Sequence, residues 1–332
     1  MKRSSSFEKS RPIGRRRARP MLVAATSRRT TFLIAVVIGA ATCTAASPVS
    51  AQPQQGNPPV YLALGDSYPY GSACLTMPCA PPEPGALFAR DENGNFVEKN
   101  DNFHVGYPEY LQQIIDLPLM NVGCPGDTTD SFLHYPNTAE GPVCRRVKEE
   151  RPDMLHVDYS LYTNTWAQMD YAENYLAAHA DRVRVITLQL GGPQTNRFFQ
   201  DCQLNPTCIL DGLPAHTASL IADLSTILSR LRATGYSRQI IYVEYPSTNY
   251  NGFLALVVLP QIYQAVAPAL AAYGAQRAPI FDAFKAAAAP FGGNSCTAGL
   301  LITTANGNCN VHATAAGHQL IASIISGMVQ PQ

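Results

Sequence analysis

The chain has 332 residues, of which 46% are hydrophobic and 14% charged, a composition typical of a globular protein with a sizeable core. Its 24 Lys and Arg balance 24 Asp and Glu overall, but ten of the basic residues precede position 30. Without residues 1–51, 14 basic and 23 acidic residues remain, a net charge near −9. Such an acidic protein repels phosphate backbones, so no nucleic-acid partner is expected.

The N-terminal segment has the layout of an export signal. Its basic start is followed by the apolar run TFLIAVVIGAATCTAA and by the small residues Val49-Ser50-Ala51, which predict a signal peptide over 1–51. An uncleaved membrane anchor is the alternative, but the run is short for a span. SRRTTFL resembles a twin-arginine signal with one extra residue before Phe32, so the Sec and twin-arginine routes both stay open. We expect a secreted protein with a short tail over 52–59 and no stable membrane span after cleavage.

The cysteines indicate disulfides. Cys43 leaves with the signal, and eight cysteines remain. An even number in an exported chain favours disulfides over metal ligands, and no zinc-ribbon spacing or HExxH motif occurs. Eight cysteines allow about 105 pairings. The simplest prediction pairs neighbours: Cys74–Cys79, Cys124–Cys144, Cys202–Cys208 and Cys296–Cys309.

Strand and helix patterns alternate along the chain after residue 59. Strands are predicted at Val60–Leu64, LPLMNVGC, VRVITLQLGG, QIIYVEYP and APIFDAF. Helices are predicted in HVGYPEYLQQII, from Leu220 to Leu231 before Gly235, over about 254–273 with a kink or division at Pro260 and Pro268, and around Leu320–Ile325.

Alternation of this kind predicts parallel strands joined by crossover helices, and apolar strands predict a sheet covered on both faces. We therefore predict an α/β fold over 60–330. Polar, Pro- and Asn-rich stretches at 72–103 and 130–182 are interpreted as loop inserts.

Four segments are predicted to converge on the carboxyl edge of this sheet, where open parallel sheets bind ligands. Ser67 in GDSYPYG follows the first strand, and Gly126 in NVGCPGDTT follows the second. Gly191-Gly192 follow the third, and His312 in NCNVHATAAGH precedes the last helix. The order of these segments and their places at strand ends are more specific than any one motif.

Together these motifs resemble those of the SGNH hydrolases, also called the GDSL esterase/lipase family, over about residues 59–328. The resemblance implies a flavodoxin-like three-layer α/β/α sandwich with a mainly parallel sheet. It also implies a serine ester hydrolase without cofactor or metal, acting on a small-molecule or lipid ester. We expect a monomer.

The resemblance makes Ser67 the nucleophile and His312 its base. A serine hydroxyl is a weak nucleophile until an imidazole takes its proton, and preorganised N–H groups must bind the oxyanion that follows. Ser67 and Gly126 match the blocks that supply those backbone N–H groups. Asp66 is interpreted as structural and His318 as a surface or packing residue. Trp166, Tyr162, Tyr171 and Tyr175 are interpreted as loop packing, with an acyl groove as the alternative.

Two blocks depart from the family pattern. Where the family has an asparagine that donates to the oxyanion, this chain has Pro193, which has no N–H. Gln194 is the candidate replacement, and Asn196 is a more distant one. Where an aspartate normally orients the histidine, this chain has Asn310, which can accept a bond from the imidazole or stabilise the wrong tautomer. Loss of an orienting aspartate costs about 10⁴ in kcat in serine proteases.

Two hypotheses therefore stay open. In the first, the chain is an ester hydrolase, with weakened activity if both helper groups are lost. In the second, it is a catalytically degenerate relative that binds an acyl or glycan ligand without turnover.

Overall fold

The computed structural model describes residues 58–72, 87–90, 96–99, 105–135, 142–150, 152, 155–304 and 306–331. The predicted signal peptide, most of the predicted tail, and Cys74 and Cys79 lie outside the described residues. So does most of the predicted insert over 72–103.

A five-stranded parallel sheet forms the centre of the fold, with strand order β4-β1-β5-β6-β7. The strands of this sheet are β1 (Val60–Gly65), β4 (Leu119–Asn121), β5 (Val183–Gln189), β6 (Gln239–Val243) and β7 (Ala275–Ala278). Two antiparallel hairpins lie outside it: β2 (Leu87–Arg90) with β3 (Phe96–Lys99), and β8 (Leu301–Thr303) with β9 (Cys309–Ala313).

Helices flank the sheet. They are α1 (Ser67–Tyr70), α2 (Tyr107–Ile115), α3 (Thr129–His134), α4 (Pro142–Glu150), α5 (Gln168–His179), α6 (Gly192–Asp201), α7 (Pro206–Ala233), α8 (Leu259–Ala272), α9 (Ile280–Ala288) and α10 (Ala315–Ser326). Side chains that alternate along β1 enter two separate core clusters: Leu62 and Leu64 enter one, and Tyr61 and Ala63 enter the other. The sheet is thus buried on both faces, and the predicted α/β/α sandwich is confirmed.

The sequence misplaced one strand. The predicted strand APIFDAF is instead the helix α9, and the last strand of the sheet, β7, ends at Ala278 just before it. The reason is visible in the spacing of the buried side chains Ile280, Phe281 and Phe284, which fits a helix once Pro279 has ended the strand.

The segment 130–182 is a second correction, since it is largely helical where it is described. It contains most of α3, all of α4 and α5, and a 3₁₀ turn at Tyr159–Leu161. Polar composition indicated a loop, but α5 buries Met169, Ala172 and Leu176 in the core on one face. An amphipathic helix with many tyrosines resembles a loop insert in composition alone.

The apolar segment 254–272 is the one described stretch long and apolar enough to cross a membrane by length and composition. Its first turn is a π-helix (Leu254–Val258), which continues as α8 past Pro260. Val258, Ile262, Val266 and Leu270 are buried in the core, and α8 packs against α7 and β7. It has the contacts of a core helix.

Candidate active site

The nucleophile turn, residues 65–71, joins β1 to α1. Gly65 has φ +139°, and a Cβ there would lie 2.1 Å from the carbonyl oxygen of Gln189, so only glycine fits. The Asp66 carboxylate accepts a hydrogen bond from the N–H of Tyr68 at 3.1 Å and thereby caps α1. Ser67, the first residue of α1, stays partly exposed at the carboxyl edge of the sheet.

The structure brings Ser67 and His312 together from positions 245 residues apart. The Nε2 atom of His312 lies 3.0 Å from the Oγ atom of Ser67. Both side chains are partly buried and border the same cavity. This is the contact that a serine nucleophile needs with its base.

Asn310 holds the other side of the imidazole. Its Oδ1 atom lies 2.9 Å from Nδ1 of His312 and 2.9 Å from the backbone nitrogen of His312. A backbone N–H can only donate, so the Asn310 atom that faces it is the oxygen, and the same oxygen faces Nδ1. Nδ1 therefore carries the proton, and Nε2 is free to accept the proton of Ser67. Of the two alternatives left open by the sequence, this geometry favours the productive tautomer.

Burial lowers the pKa of His312 to about 4. Desolvation disfavours the charged imidazolium, and no carboxylate acts to raise the pKa again. At neutral pH, His312 is thus the uncharged base.

Two backbone N–H groups are available beside Ser67. Gly126 has φ +74°, and a Cβ there would lie 2.9 Å from Cβ of Val143, so glycine is needed in this turn. Neither the N–H of Ser67 nor that of Gly126 has an acceptor among the described residues, and both residues line the cavity. Both N–H groups are therefore available to donate to an oxyanion.

Gln194 is not brought to the site. Its Nε2 donates to Oγ1 of Thr129 at 2.7 Å, its Oε1 accepts from the N–H of Thr129 at 3.3 Å, and it does not line the cavity. Because α6 begins at Gly192, successive side chains turn about 100° apart, and that of Gln194 turns toward α3. Pro193 and Asn196 face the cavity instead.

Sequence reasoning missed Tyr245. Its hydroxyl donates to Oδ2 of Asp66 and accepts from the N–H of Gly192, so it joins the nucleophile turn to the start of α6. Burial raises the pKa of Asp66 to about 7, and the bond from Tyr245 acts in the opposite direction. Tyr245 lies two residues after β6, so the strand-end rule that singled out Ser67 would have found it.

A cavity of about 560 Å³ opens beside Ser67 and His312. Its volume lies within the range of sites for drug-sized ligands. Away from the Ser–His pair it runs between α6, α7 and the π-helix with α8. Its lining residues include no Glu, Lys or Arg, and Asp66 is the one carboxylate among them. The aliphatic and phenyl side chains at that end are Phe199, Leu220, Leu254, Leu259 and Ile262.

The tyrosines of the segment 130–182 do not form this cavity. Tyr162 packs edge-on against Tyr171 with ring centroids 5.1 Å apart and against Tyr175 at 5.3 Å. Neither they nor Trp166 line the cavity, so packing is the interpretation that the structure supports. His318, interpreted as surface or packing, is buried beside Tyr68.

Three of the predicted cysteine pairs are bonded in the structure: Cys124–Cys144, Cys202–Cys208 and Cys296–Cys309. The last of these ties β9 to residue 296. Cys309 lies three residues before His312, so this disulfide anchors the strand that carries the base.

Comparison with known proteins gives the following. No protein-family model and no curated protein sequence matches the chain. Among solved structures, a phospholipase A1 from Streptomyces albidoflavus is similar at 14% identity with a TM-score of 0.46, over 82% of this chain and 99% of that one. A GDSL-like lipase from Parabacteroides merdae has 14% identity and a TM-score of 0.43, over 82% and 96%. An acetylxylan esterase from Geobacillus stearothermophilus has 14% identity and a TM-score of 0.43, over 82% and 95%.

A parallel sheet lies between helical layers, a serine follows its first strand, and a histidine before the last helix meets that serine at the carboxyl edge. This is the three-layer α/β/α sandwich that the sequence predicted, with Ser67 and His312 in the places that the resemblance to the SGNH hydrolases implies.

Proposed function

We propose that the protein is a carboxylic ester hydrolase that uses Ser67 and His312. The observation that carries the proposal is the 3.0 Å contact between Ser67 Oγ and His312 Nε2, with Asn310 holding the protonated Nδ1. A serine–imidazole contact at the mouth of a cavity suits acyl transfer, because the imidazole can remove the serine proton as the oxygen attacks.

The reaction proceeds in two halves. Ser67 Oγ bonds to the ester carbonyl carbon while its proton passes to His312, and the N–H groups of Ser67 and Gly126 bind the oxyanion. Collapse of this intermediate breaks the bond to the alcohol, which takes the proton from His312. Water then attacks the acyl-serine with His312 again as base, and the acid is released with Ser67 restored.

The acyl group occupies the apolar end of the cavity in this proposal. Each buried CH₂ contributes about 0.8 kcal/mol, which corresponds to about fourfold in kcat/KM. An acetyl group leaves the aliphatic lining unfilled, and a longer chain contacts it. We therefore expect octanoyl esters to be better substrates than acetyl esters.

Export is part of the proposal. The leader pattern over 1–51 and three disulfides among the described residues both suit a protein that works in an oxidising compartment. The proposed chemistry requires only the ester, water and groups of this chain.

The second candidate is a protein that binds an acyl ligand without turnover. The absence of Gln194 from the site favours it, because one missing oxyanion donor costs about 3 kcal/mol, or roughly 10²-fold in kcat. The Ser–His contact and the tautomer fixed by Asn310 weigh against it.

One experiment separates the two candidates. p-Nitrophenyl acetate, butyrate and octanoate are hydrolysed by wild type and by Ser67→Ala, and wild type is labelled with a fluorophosphonate probe. We expect labelling at Ser67, loss of at least about 10³-fold in kcat in the variant, and a rising kcat/KM from acetate to octanoate. Equal rates in both proteins, without labelling, would overturn the hydrolase proposal.

A further inference from the structure

A buried amide behind the nucleophile turn has no part in the mechanism above. Gln168 is the first residue of α5, and its side chain is fully buried. Its Oε1 accepts the N–H of Gly65 at 2.6 Å, and its Nε2 donates to the carbonyl oxygen of Gly65 at 2.9 Å. One side chain thus binds both polar groups of the residue at which β1 ends, much as a neighbouring strand would.

The same amide reaches the second turn of the site. Nε2 of Gln168 also donates to Oδ2 of Asp127 at 2.9 Å, and Asp127 directly follows Gly126. Asp127 is fully buried, and its other oxygen accepts the hydroxyl proton of Ser131. Gln168 is therefore a side chain that joins the turn of Ser67 directly to the turn of Gly126.

A buried cation supports the same cluster. The ammonium of Lys148 donates to the carbonyl oxygen of Trp166 at 2.7 Å and lies 4.3 Å from the ring centroid of Tyr159. Burial raises the pKa of Asp127, and the positive charge of Lys148 acts in the opposite direction. Asp127 is thus a buried acceptor opposite the Gln168 amide, and both of its carboxyl oxygens are hydrogen-bonded.

We propose that Gln168 is a positioning residue that sets the separation of the two oxyanion N–H groups by binding Gly65 and Asp127 at once. The inference rests on the proposed function. It assigns a catalytic contribution to α5, which lies in the segment that composition alone marks as a loop insert. Gln168 does not touch substrate and acts only through the backbone of the two turns.

The expected kinetic signature follows from that role. Misplacement of an oxyanion donor raises the energy of the transition state and leaves the ground-state contacts of the acyl group unchanged. A displacement near 1 Å costs about 10²-fold. Gln168→Ala should lower kcat about 10- to 100-fold and leave KM within about threefold.

A rescue experiment tests the bond rather than the volume of the side chain. Gln168→Glu places a second carboxylate against Asp127 and should lower kcat strongly. Adding Asp127→Asn exchanges the donor and the acceptor of this hydrogen bond. The amide now at position 127 can donate to the carboxylate now at position 168, which still accepts the N–H of Gly65. The carbonyl of Gly65 keeps its bond from the N–H of Cys124 at 3.0 Å. We expect the double variant to regain at least about tenfold in kcat over Gln168→Glu.

Met169→Ala is the matched control. Met169 is the next residue of α5 and is fully buried, but it packs in the core and has no bond to either turn. It should lower Tm at least as much as Gln168→Ala while kcat per fluorophosphonate-titrated serine stays within about twofold. A merely structural role for Gln168 would make the two variants behave alike.

The outcomes are distinct. A wild type without Ser67-dependent hydrolysis overturns the proposed function itself. An active wild type, with Gln168→Ala at full kcat per titrated serine, overturns the role of Gln168 alone. If Gln168→Ala fails to fold, the Gln168→Glu and double variants decide, and no rescue in a folded double variant overturns the inference.

Discussion

The two halves of the Ser–His pair are held in very different ways. The nucleophile turn is bound from four sides, by Gln189 of β5, by Gln168, by Tyr245 and by Asn121, whose Nδ2 donates to the carbonyl oxygen of Pro69 at 2.7 Å. The base hairpin, residues 301–313 with β8 and β9, lies outside the main sheet.

The base hairpin packs Leu301 and Ala313 in the core and is tied near His312 by two further contacts. The Tyr68 hydroxyl donates to the carbonyl oxygen of Val311, and the Cys296–Cys309 bond anchors the start of β9. Val311 itself is 45% exposed. The difference teaches that the nucleophile is placed by a redundant buried network. The hairpin is anchored in the core at its two ends, but close to the imidazole it is held by two tethers, each of which can be removed singly.

The largest effect in the hairpin should come from the imidazole itself. We expect His312→Ala to lower kcat by at least about 10³-fold, because Ser67 then has no group to take its proton. Steady-state hydrolysis of p-nitrophenyl octanoate measures the change. His179→Ala, which removes a histidine of α5 outside the cavity, serves as control and should keep full activity. Activity retained in His312→Ala would mean that another group is the base.

A smaller effect is expected from the orienting residue. Asn310→Ala should lower kcat about 10²-fold, because the productive tautomer is no longer selected while the Ser67 contact survives. Asn310→Asp should act in the other direction and raise kcat, since a carboxylate stabilises the imidazolium that forms during attack.

The pH profile distinguishes these two variants. In wild type the pKa of His312 is lowered to about 4, so the base stays neutral and kcat/KM should be maintained well below pH 6.5. The carboxylate in Asn310→Asp raises that pKa, so the acid limb should move to higher pH. A limb that stays in place would show that another group already sets the protonation of His312.

The smallest effect should come from the disulfide tether. Cys296→Ser with Cys309→Ser opens a loop of 13 residues and should cost about 3 kcal/mol of unfolding free energy. We also expect kcat to fall a few-fold, because the hairpin then positions His312 less well. Urea unfolding and steady-state kinetics give the two numbers.

The Cys202–Cys208 pair sharpens that result. It joins the end of α6 to the start of α7, away from the hairpin. Its double serine variant should lose stability but keep kcat. Equal losses of kcat in both variants would mean that the base hairpin has no special dependence on its disulfide.

The ends of predicted strands were one signal that located parts of the site from the sequence. Ser67 and Gly126 were found because an apolar run predicted as a strand ends just before each, and parallel strands end at one edge. Gln194 was placed wrongly because it lies within α6, where its direction depends on the residue at which the helix begins. The strand in APIFDAF was wrong because five apolar and small residues fit either period.

Sequence by itself predicted the export leader, and it determined the alternation of strands and helices and the residues that follow the strands. Each of these depends on the order of neighbouring residues. Only the tertiary structure decided the tautomer of His312, the exclusion of Gln194 and the clamp by Gln168. The exclusion of Gln194 and the clamp by Gln168 depend on groups that are up to 103 residues apart, and all three depend on the directions in which donors and acceptors point. Hydrogen bonds are short and directional, so no pattern along the chain specifies which distant partner will fill them.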